Sequence, residues 1–456
     1  MSYVGIGNRQ DYIADFPTQS FNGDGSTTTF TLNFEAVTGS VRVAVDNVLQ
    51  PADGTSYYTN GNSITFTSAP ATGTANITVT YLGTVRNVSS VSDGAITTAK
   101  LADGNITTAK LADSAVTVAK LSYDYNAYRN IIINGDMSIA QRGTSVTGST
   151  SSGYLTVDRW NFARVGGATF SHSQTTDVPT GQGFANSYKI ESTTGDGAMG
   201  ASELNLLSQY FEAQNLNSLK WGTSSAESIT LSFWVKATVT GTYIVEFYNN
   251  DNSGDQLSAS YTINSANTWE KKNITVVGYT SGAFGNDNNT GMQINWWLGA
   301  GSDFQSGSLT GTWRTYADGN RAVGQVNTFE NNNNTFYLTG VQLEADTSAS
   351  DFEFLPYDVN LQRCMRYYQT YQSGGMICWS GTTISGANYF QDVRHVVPMR
   401  TSATIGNLTV ENRNGFNTSN PSIDYGNTQG FRATLQSNAN TNEAYFRFKY
   451  TADAEL

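Results

Sequence analysis

Aromatic side chains with polar neighbours are the residues of this 456-residue sequence whose types and spacing could do chemistry. Adjacent strand residues point to opposite faces, so Trp296 and Trp297 predict one ring in a core and one facing solvent. An exposed ring beside amide, guanidinium or carboxylate groups suits carbohydrate recognition. Packing in a core or between subunits is the alternative role. The candidate ligand-binding residues are Trp296, Trp297, Trp313, Asp318, Arg321, Trp379, Tyr389, Phe390 and Arg394.

Motifs of catalysis are missing from the sequence. No nucleophile elbow of the form G-x-S-x-G stands between a strand and a helix, and no H-E-x-x-H or P-loop motif occurs. Hydrolysis of a polysaccharide needs two carboxylates about 5–10 Å apart. Among the 37 Asp and Glu residues, sequence context singles out no such pair. We therefore expect a protein without enzymatic activity and assign no catalytic residue.

Metal and thiol chemistry have few candidates, because the chain contains only two cysteines and two histidines. We expect no cofactor, and both histidines are expected to be structural or surface residues. Cys364 is expected to be a buried thiol, with a disulfide to Cys378 left open. Asp136 and Glu344 would suit a structural Ca²⁺ ion together with backbone carbonyls, and a turn and a solvated strand end are their alternative roles.

The composition is typical of an all-β protein in an extracellular setting. Charged residues make up 14% of the chain, well below the ~25% of typical soluble domains, whereas Tyr, Phe and Trp number 25, 22 and 8. A net charge of −12 without a Lys/Arg cluster argues against nucleic-acid binding. The sequence has no apolar run long enough to predict membrane insertion, and its first residues lack a secretion-signal pattern. Release of a particle by cell lysis would explain how a protein of extracellular composition leaves the cell without a secretion signal.

A ten-residue phrase occurs three times in succession, as SDGAITTAKL, ADGNITTAKL and ADSAVTVAKL. Its apolar residues recur every five positions, which would scatter them around one helix and alternate them across one strand. They need burial against other copies of the segment, so the repeat predicts a thin trimeric shaft. A solvated linker is the alternative, and the shaft conformation stays open between short helical turns and extended strands. The shaft positions are Ile96, Leu101, Ile106, Leu111, Val116 and Leu121.

Alternating strand patterns on both sides of the repeat predict an elongated, all-β, multidomain fibre. A helix is expected over residues 359–371, with Leu361, Met365 and Tyr368 as its apolar stripe. The predicted domains are an N-terminal β-sandwich at residues 1–84, the repeat shaft or linker at 85–128, a jelly-roll β-sandwich at 129–358 and a small C-terminal β-domain at 359–456, the distal tip.

Three parts of the sequence resemble proteins of phage tails. In this order, FNGDGSTTTFTL, VAVDNVLQP, ITFTSAP and ITVTYLG resemble the N-terminal domain of many phage tail fibres. The phrase ITTAKLADG is similar to repeats in tail fibres of phages that infect marine bacteria. A third set of motifs resembles the jelly roll of phage tail fibres and minor structural proteins, a fold related to carbohydrate-binding modules. These motifs are NGDMSIAQRG, VDRWNF, ITLSFWVKATVTGTY, TWEKKNITV, NWWLGAGS, FYLTGVQLE and FEFLPYDVNLQRCMRYY.

The resemblance implies a homotrimeric phage tail fibre, a structural protein of the virion that is extracellular after host lysis. It implies that residues 1–84 attach the fibre to the phage tail, a baseplate or an adaptor protein. It also implies that the C-terminal domains mediate adsorption by binding a host surface receptor, such as lipopolysaccharide, another glycan or an outer-membrane receptor. A connector protein without receptor binding and, less favoured, a polysaccharide depolymerase are the alternatives.

Overall fold

The chain divides into two compact units, residues 1–121 and residues 122–456. The computed structural model describes residues 16–52, 54–82, 128–251, 254–371 and 377–456, without the side chain of residue 377. The repeat lies outside the described residues, so the trimeric shaft stays a prediction. The same holds for each shaft position: Ile96, Leu101, Ile106, Leu111, Val116 and Leu121.

A small β-sandwich forms the described part of the first unit. Its strands are β1 Thr18–Gly23, β2 Thr29–Thr31, β3 Val41–Val45, β4 Val48–Gln50, β5 Tyr57–Asn60, β6 Ser63–Phe66 and β7 Gly73–Tyr81. They pair into two sheets, β1-β7-β3-β4 and β2-β6-β5. Alternate residues of β3 and β7 fill the core, where Val43, Ile77 and Val79 are fully buried. The β-sandwich predicted here is confirmed.

A larger sandwich forms most of the second unit. Its strands are β8 Ser145–Ser149, β9 Gly153–Tyr154, β10 Asn161–Val165, β11 Thr169–Thr175, β12 Ser187–Thr194, β13 Leu204–Glu212, β14 Ile229–Ala237, β15 Gly241–Asn249, β16 Asp255–Ile263, β17 Glu270–Val276, β18 Thr290–Ala300, β19 Arg314–Thr315 and β20 Thr335–Glu344. One sheet has the order β19-β16-β15-β18-β13-β10-β9, and the other has the order β17-β14-β20-β12-β11-β8. The all-β fold class is therefore confirmed.

Large aromatic rings join the two sheets of this sandwich. Phe233 of β14 and Trp296 of β18 meet edge to face, with ring centroids 5.9 Å apart. The Trp160 ring also contacts Trp296, with ring centroids 5.3 Å apart. All three rings are fully buried. Such ring pairs contribute about 0.5–1.5 kcal/mol beyond the burial of their area, so this contact fixes the two sheets against each other.

The helix after the sandwich is shorter than predicted. Helix α1 spans Tyr357–Met365, and strand β21, Tyr368–Tyr371, occupies the end of the segment 359–371 that was expected to be helical. This strand pairs with the last strand of the chain, so sheet hydrogen bonds replace helical ones there. The prediction failed because pairing with residues about 80 positions away leaves no trace in local periodicity.

Polar contacts decide which face of α1 is buried. The Asn360 amide donates hydrogen bonds of 3.0 Å to the Asp136 carboxylate and to the Ser138 hydroxyl. The Cys364 thiol on the same face is free and fully buried, as predicted, and burial raises its pKa. Cys378 is exposed and also free, so the two form no disulfide. Of the predicted stripe, Leu361 and Met365 lie one residue further along the helix and are only partly buried, whereas Tyr368 is buried in β21.

Two further sheets make up the C-terminal domain. Its remaining strands are β22 Ile377–Thr383, β23 Asn388–Arg394, β24 Thr404–Asn414, β25 Ser422–Asn427, β26 Gly430–Gln436 and β27 Thr441–Asp453. One sheet has β27 at its centre, paired with β21, β22 and β24, and the other has the order β23-β26-β25. Phe446, Phe448 and Tyr450 are fully buried on one face of β27, as its alternation predicted.

A buried ion pair joins the sandwich to the C-terminal domain. Arg159 is fully buried, pairs with the Glu455 carboxylate, and donates Nη2 to the Tyr210 carbonyl at 2.7 Å. Its guanidinium carbon lies 3.5 Å from the centroid of the Tyr367 ring. Although burial opposes it, the charge of Glu455 raises the pKa of Arg159. Arg142 adds a second contact to Glu455, at 3.3 Å.

The stability of the second unit is expected to depend on His172 as the pH falls from about 6.5 to about 4. Burial lowers the pKa of His172 from 6.5 to about 4, so only the unfolded chain binds a proton in this window. Its neutral ring lies 3.1 Å from the Tyr188 hydroxyl. The contribution of His172 to the free energy of unfolding is fully present above pH 6.5. About 3 kcal/mol of this free energy should be lost by pH 4.

Urea unfolding of the wild type and of His172→Phe at several pH values would measure this contribution. The difference between the two proteins is the relevant quantity, because burial raises the pKa of Asp158 to about 6 and acts in the opposite sense. Phenylalanine keeps a ring in the cavity but cannot titrate. A difference in unfolding free energy that stays constant between pH 7 and pH 4 would contradict the prediction.

Candidate functional site

Two exposed aromatic rings stand on the outer face of the three-stranded sheet β23-β26-β25. The Phe390 side chain of β23 is 52% exposed and the Tyr425 side chain of β25 is 54% exposed. Alternation along β23 buries Val393 and turns Phe390 outward. We call this surface the tip face and define it by Phe390, Asp392, Arg394, Tyr425 and Arg432.

Arg432 is fixed between these two rings. Its guanidinium carbon lies 4.2 Å from the Phe390 ring centroid and 5.0 Å from the Tyr425 ring centroid. Asp392, directly opposite on β23, accepts hydrogen bonds from Nε at 2.7 Å and from Nη2 at 3.0 Å. These hydrogen bonds lower the pKa of Asp392, so the pair stays ionised. Because a guanidinium has five N–H donors, others are left for a ligand.

The tip face can therefore offer flat rings and directional donors side by side. The faces of aromatic rings pack against apolar C–H surfaces, while N–H groups donate to hydroxyl or carboxylate oxygens. On the neighbouring strands, the Asp424 carboxylate of β25 accepts a 2.5 Å hydrogen bond from the Thr434 hydroxyl of β26. Arg394, also exposed, extends the face along β23.

The four tip residues selected from the sequence separate into two pairs. Phe390 and Arg394 are exposed on the tip face. Trp379 and Tyr389 instead pack together, with ring centroids 4.9 Å apart, against the hydrophobic core of the C-terminal domain. Trp379 also meets Phe416 edge to face at 5.3 Å. Trp379 and Tyr389 are therefore partly buried, which favours packing in a core, the alternative role considered for them.

A second surface lies on the outer face of the seven-stranded sheet, where Arg321 binds the buried Glu246. The distances are 2.8 Å from Nε to Oε1 and 3.1 Å from Nη2 to Oε2. Trp297 donates its indole N–H to the same carboxylate at 3.2 Å, and the guanidinium carbon lies 4.9 Å from its ring. Although burial opposes it, Glu246 raises the pKa of Arg321.

This arrangement corrects the expectation for the two adjacent tryptophans. They do point to opposite faces of β18, with Trp296 in the main core and Trp297 in a small cluster outside the sheet. Both rings are nevertheless fully buried, so neither faces solvent. Trp297 is covered because Phe304 and Arg321, from the connection between β18 and β20, lie over it.

The loop residues selected from the sequence also separate. The Asp318 carboxylate accepts a hydrogen bond from the Tyr316 hydroxyl and lies 3.8 Å from Arg321 Nη1. Trp313 is not part of this group. Its ring packs edge to face on Trp221 at 5.3 Å, at the margin of the main core. The structure thus brings Trp297, Asp318 and Arg321 together and places Trp313 and Trp296 elsewhere.

An open row of side chains continues this surface. Tyr210 of β13 and Tyr248 of β15 are both paired in register with Gln293 of β18, and all three are partly exposed. Because neighbouring strands are about 4.8 Å apart, the two tyrosines lie roughly 10 Å from each other with an amide between them. We define the sandwich face as Tyr210, Tyr248, Gln293, Tyr316 and Arg321.

Sequence reasoning missed several of these residues. Asp392 was within reach, because it shares the alternation of Phe390 and Arg394 on one strand. Glu246 also had a signal, since an acidic residue in the middle of a mostly apolar strand needs a buried partner. Arg432 and Tyr425 had none, because their position beside Phe390 depends on strand pairing.

The carboxylates considered for Ca²⁺ accept hydrogen bonds from protein groups. Asp136 accepts from the Ser138 hydroxyl at 3.0 Å and from Asn360. Glu344 accepts from the Ser350 N–H at 2.9 Å and lies 3.7 Å from Arg129 Nε. Within the described part of the chain, no group of three or more His, Cys, Asp and Glu residues is placed to hold a metal ion. No helix in those residues is long and apolar enough to cross a membrane.

Comparisons with known proteins show distant similarity in structure alone. No protein-family model and no curated protein sequence matches the chain. The enzymatically active domain of tailspike protein 4 of bacteriophage CBA120 aligns with 48% of this chain at 14% identity and a TM-score of 0.28, and this chain covers 22% of it.

Carbohydrate-binding domains give alignments of similar quality. The family 11 carbohydrate-binding module of cellulase Lic26A-Cel5E from Clostridium thermocellum aligns at 12% identity, with 45% of this chain, 98% of the module and a TM-score of 0.23. The cellulose-binding domain of Cellulomonas fimi β-1,4-glucanase C aligns at 11% identity, with 46% of this chain, all of the domain and a TM-score of 0.24. These similarities are too distant to assign a function to this chain.

Proposed function

We propose that the chain is a homotrimeric phage tail fibre, located on the tail of the virion, that mediates adsorption by binding a glycan on the host cell surface. The observation that carries glycan binding is the tip face, where two rings more than half exposed stand on either side of a fixed guanidinium. The tail-fibre part is supported by the order of the sequence motifs along the chain. Binding of the full chain to an array of bacterial surface polysaccharides would test the glycan part.

A shallow, exposed surface suits a long polysaccharide better than a small molecule. Each ring can pack against one sugar, and the polar groups between the rings select its hydroxyl pattern. Affinity at one such surface is expected to be weak. Three copies on one fibre, and several fibres on one virion, would raise the apparent affinity through effective concentration.

The first unit is proposed to attach the fibre to the phage tail, a baseplate or an adaptor protein. Its hairpin between β3 and β4 exposes Val48 by 64% and Leu49 by 52%, and Val37 nearby in sequence is 66% exposed. Asp46 and Asn47 form the turn, with positive φ angles of 48° and 62°, as a two-residue type I′ hairpin requires. Exposed apolar side chains on a rigid turn support a docking role.

We infer that glycan binding occurs without hydrolysis. The carboxylates on the two candidate surfaces support this, because Glu246 is bound by Arg321 and Asp392 is bound by Arg432. A hydrolase needs one carboxyl group that can donate a proton and a second that acts as base or nucleophile. Incubation of a bound polysaccharide with the full chain should release no oligosaccharide, and release would favour the depolymerase alternative.

The trimer is a testable part of the proposal. The full chain should sediment as a species of three times 49.3 kDa. Replacing Leu111 by aspartate should shift it toward the monomer mass, because a charge would be buried among the three copies. A change of the exposed Ile384 to aspartate is the matched control and should leave the mass unchanged. A wild-type mass near 49.3 kDa would rule out the trimer.

A further inference from the structure

A cavity of about 700 Å³ opens between the start of the large sandwich, the 3₁₀ helix Ala213–Leu219 and α1. It meets the sandwich face at Tyr210 and is separate from the residues of the tip face. Its volume is within the range of small-molecule sites, which is about 300–1,000 Å³. Three arginines and one carboxylate line it: Arg129, Arg363, Arg366 and Glu344.

Two of these arginines already have carboxylate partners. Arg129 Nε lies 3.7 Å from Glu344, the one acidic residue of the lining, so these two opposite charges balance each other. Arg366 makes a bidentate pair with Glu212, at 2.7 Å and 2.6 Å. Among the described residues, the third arginine of the lining, Arg363, makes no such ion pair with a carboxylate.

Arg363 donates Nη2 to the Asn130 carbonyl at 3.2 Å. Within the described part of the chain, no carboxylate lies within 4 Å of its guanidinium. Burial lowers the pKa of Arg363, although the charge of Glu353, whose carboxylate accepts the Asn130 N–H at 2.9 Å, opposes that shift. The Arg363 side chain is partly buried, so its guanidinium gains from further hydrogen bonds and from an opposite charge, and a bound anion would provide both.

We propose that this cavity binds the carboxylate or phosphate group of an anionic ligand, with Arg363 as the residue that compensates its charge. A planar guanidinium matches either group with two parallel hydrogen bonds. Sugars that contain a carboxylate and sugars that contain a phosphate share this chemistry. The proposal goes beyond the glycan contact at the tip face, and either site can exist without the other.

Isothermal titration calorimetry of the full chain would test the site. Glucuronate, inorganic phosphate and glucose would be titrated separately in a buffer without phosphate. At least one of the two anions should bind, glucose should not, and binding should weaken as salt is added. Binding of glucuronate alone would identify the carboxylate as the recognised group, and binding of phosphate alone would identify the phosphate.

Two variants and one control locate the binding. Arg363→Gln removes the guanidinium and its charge but keeps a polar amide, and it should weaken anion binding by about tenfold or more. Asn215→Trp places a large ring at the exposed rim of the cavity, where it should block binding without disturbing the core. Arg42→Gln removes one positive charge from an exposed strand position in the first unit and should change nothing.

The outcomes separate clearly. The site is overturned if neither anion binds the wild type, if glucose binds as well as glucuronate, or if Arg363→Gln and Asn215→Trp both keep wild-type affinity. A failure of Arg363→Gln to fold leaves Asn215→Trp as the decisive variant. Loss of binding to surface polysaccharides in tip-face variants would leave the calorimetry unchanged, so the two proposals can fail separately.

Discussion

Replacing Arg159 by methionine is expected to lower the free energy of unfolding of the second unit by about 3–5 kcal/mol. The Glu455 carboxylate, only 5% exposed, would lose its closest cation, and the Tyr210 carbonyl would lose a hydrogen-bond donor. Breaking a buried pair costs this much because the remaining charge stays in a poorly solvated site. Urea unfolding followed by tryptophan fluorescence would measure the change.

Two comparisons show whether the ion pair is the cause. The double variant Arg159→Met with Glu455→Leu removes both charges and should recover most of the loss, since an apolar pair is often as stable as a buried ion pair. Arg447→Met, at an exposed position of β27, should change the unfolding free energy by less than about 0.5 kcal/mol. A loss below about 1 kcal/mol in Arg159→Met would contradict the role assigned to this junction.

Replacing Phe390 by alanine is expected to weaken binding of the full chain to the proposed host glycan by about tenfold or more, because exposed rings at binding surfaces are frequent hot spots. The same loss is expected for Arg432→Ala, which also releases Asp392 and the Tyr425 ring from their shared cation. Surface plasmon resonance on an immobilised polysaccharide would measure both.

A control within the same domain tests whether any exposed apolar residue has this effect. Ile384→Ala removes a side chain that is 68% exposed and does not belong to the tip face. Its affinity should equal that of the wild type. Equal affinities of Phe390→Ala, Arg432→Ala and the wild type would remove the tip face as the contact surface.

The strands whose sequences alternate were predictable because the protein buries one side of each sheet. In β14 and β15 every second residue is apolar and enters the core, and in β27 Phe446, Phe448 and Tyr450 do the same. The expectation that apolar residues mark the buried face failed where a hydrogen-bonded polar residue was buried instead. The face of α1 that contains Asn360 is the example, since partners at Asp136 and Ser138 made its burial favourable.

The candidate sites were only partly predictable, because they depend on contacts between distant segments. Phe390 and Arg394 could be selected from one strand, whereas Arg432 joins them through a pairing of β23 with β26. Trp297 could be placed outside the sheet by alternation, but its burial needs Arg321 and Phe304 to fold over it. Local patterns give the direction of a side chain and not what covers it.

Competition for adsorption tests the central claim most directly. Host cells would be incubated with the purified full chain before addition of the phage proposed to contain it, and the rate of phage adsorption would be measured. The wild-type chain should bind the cells and slow adsorption, whereas Phe390→Ala and Arg432→Ala should do so only at about tenfold higher concentrations. A wild-type chain that neither binds the cells nor slows adsorption would contradict receptor binding.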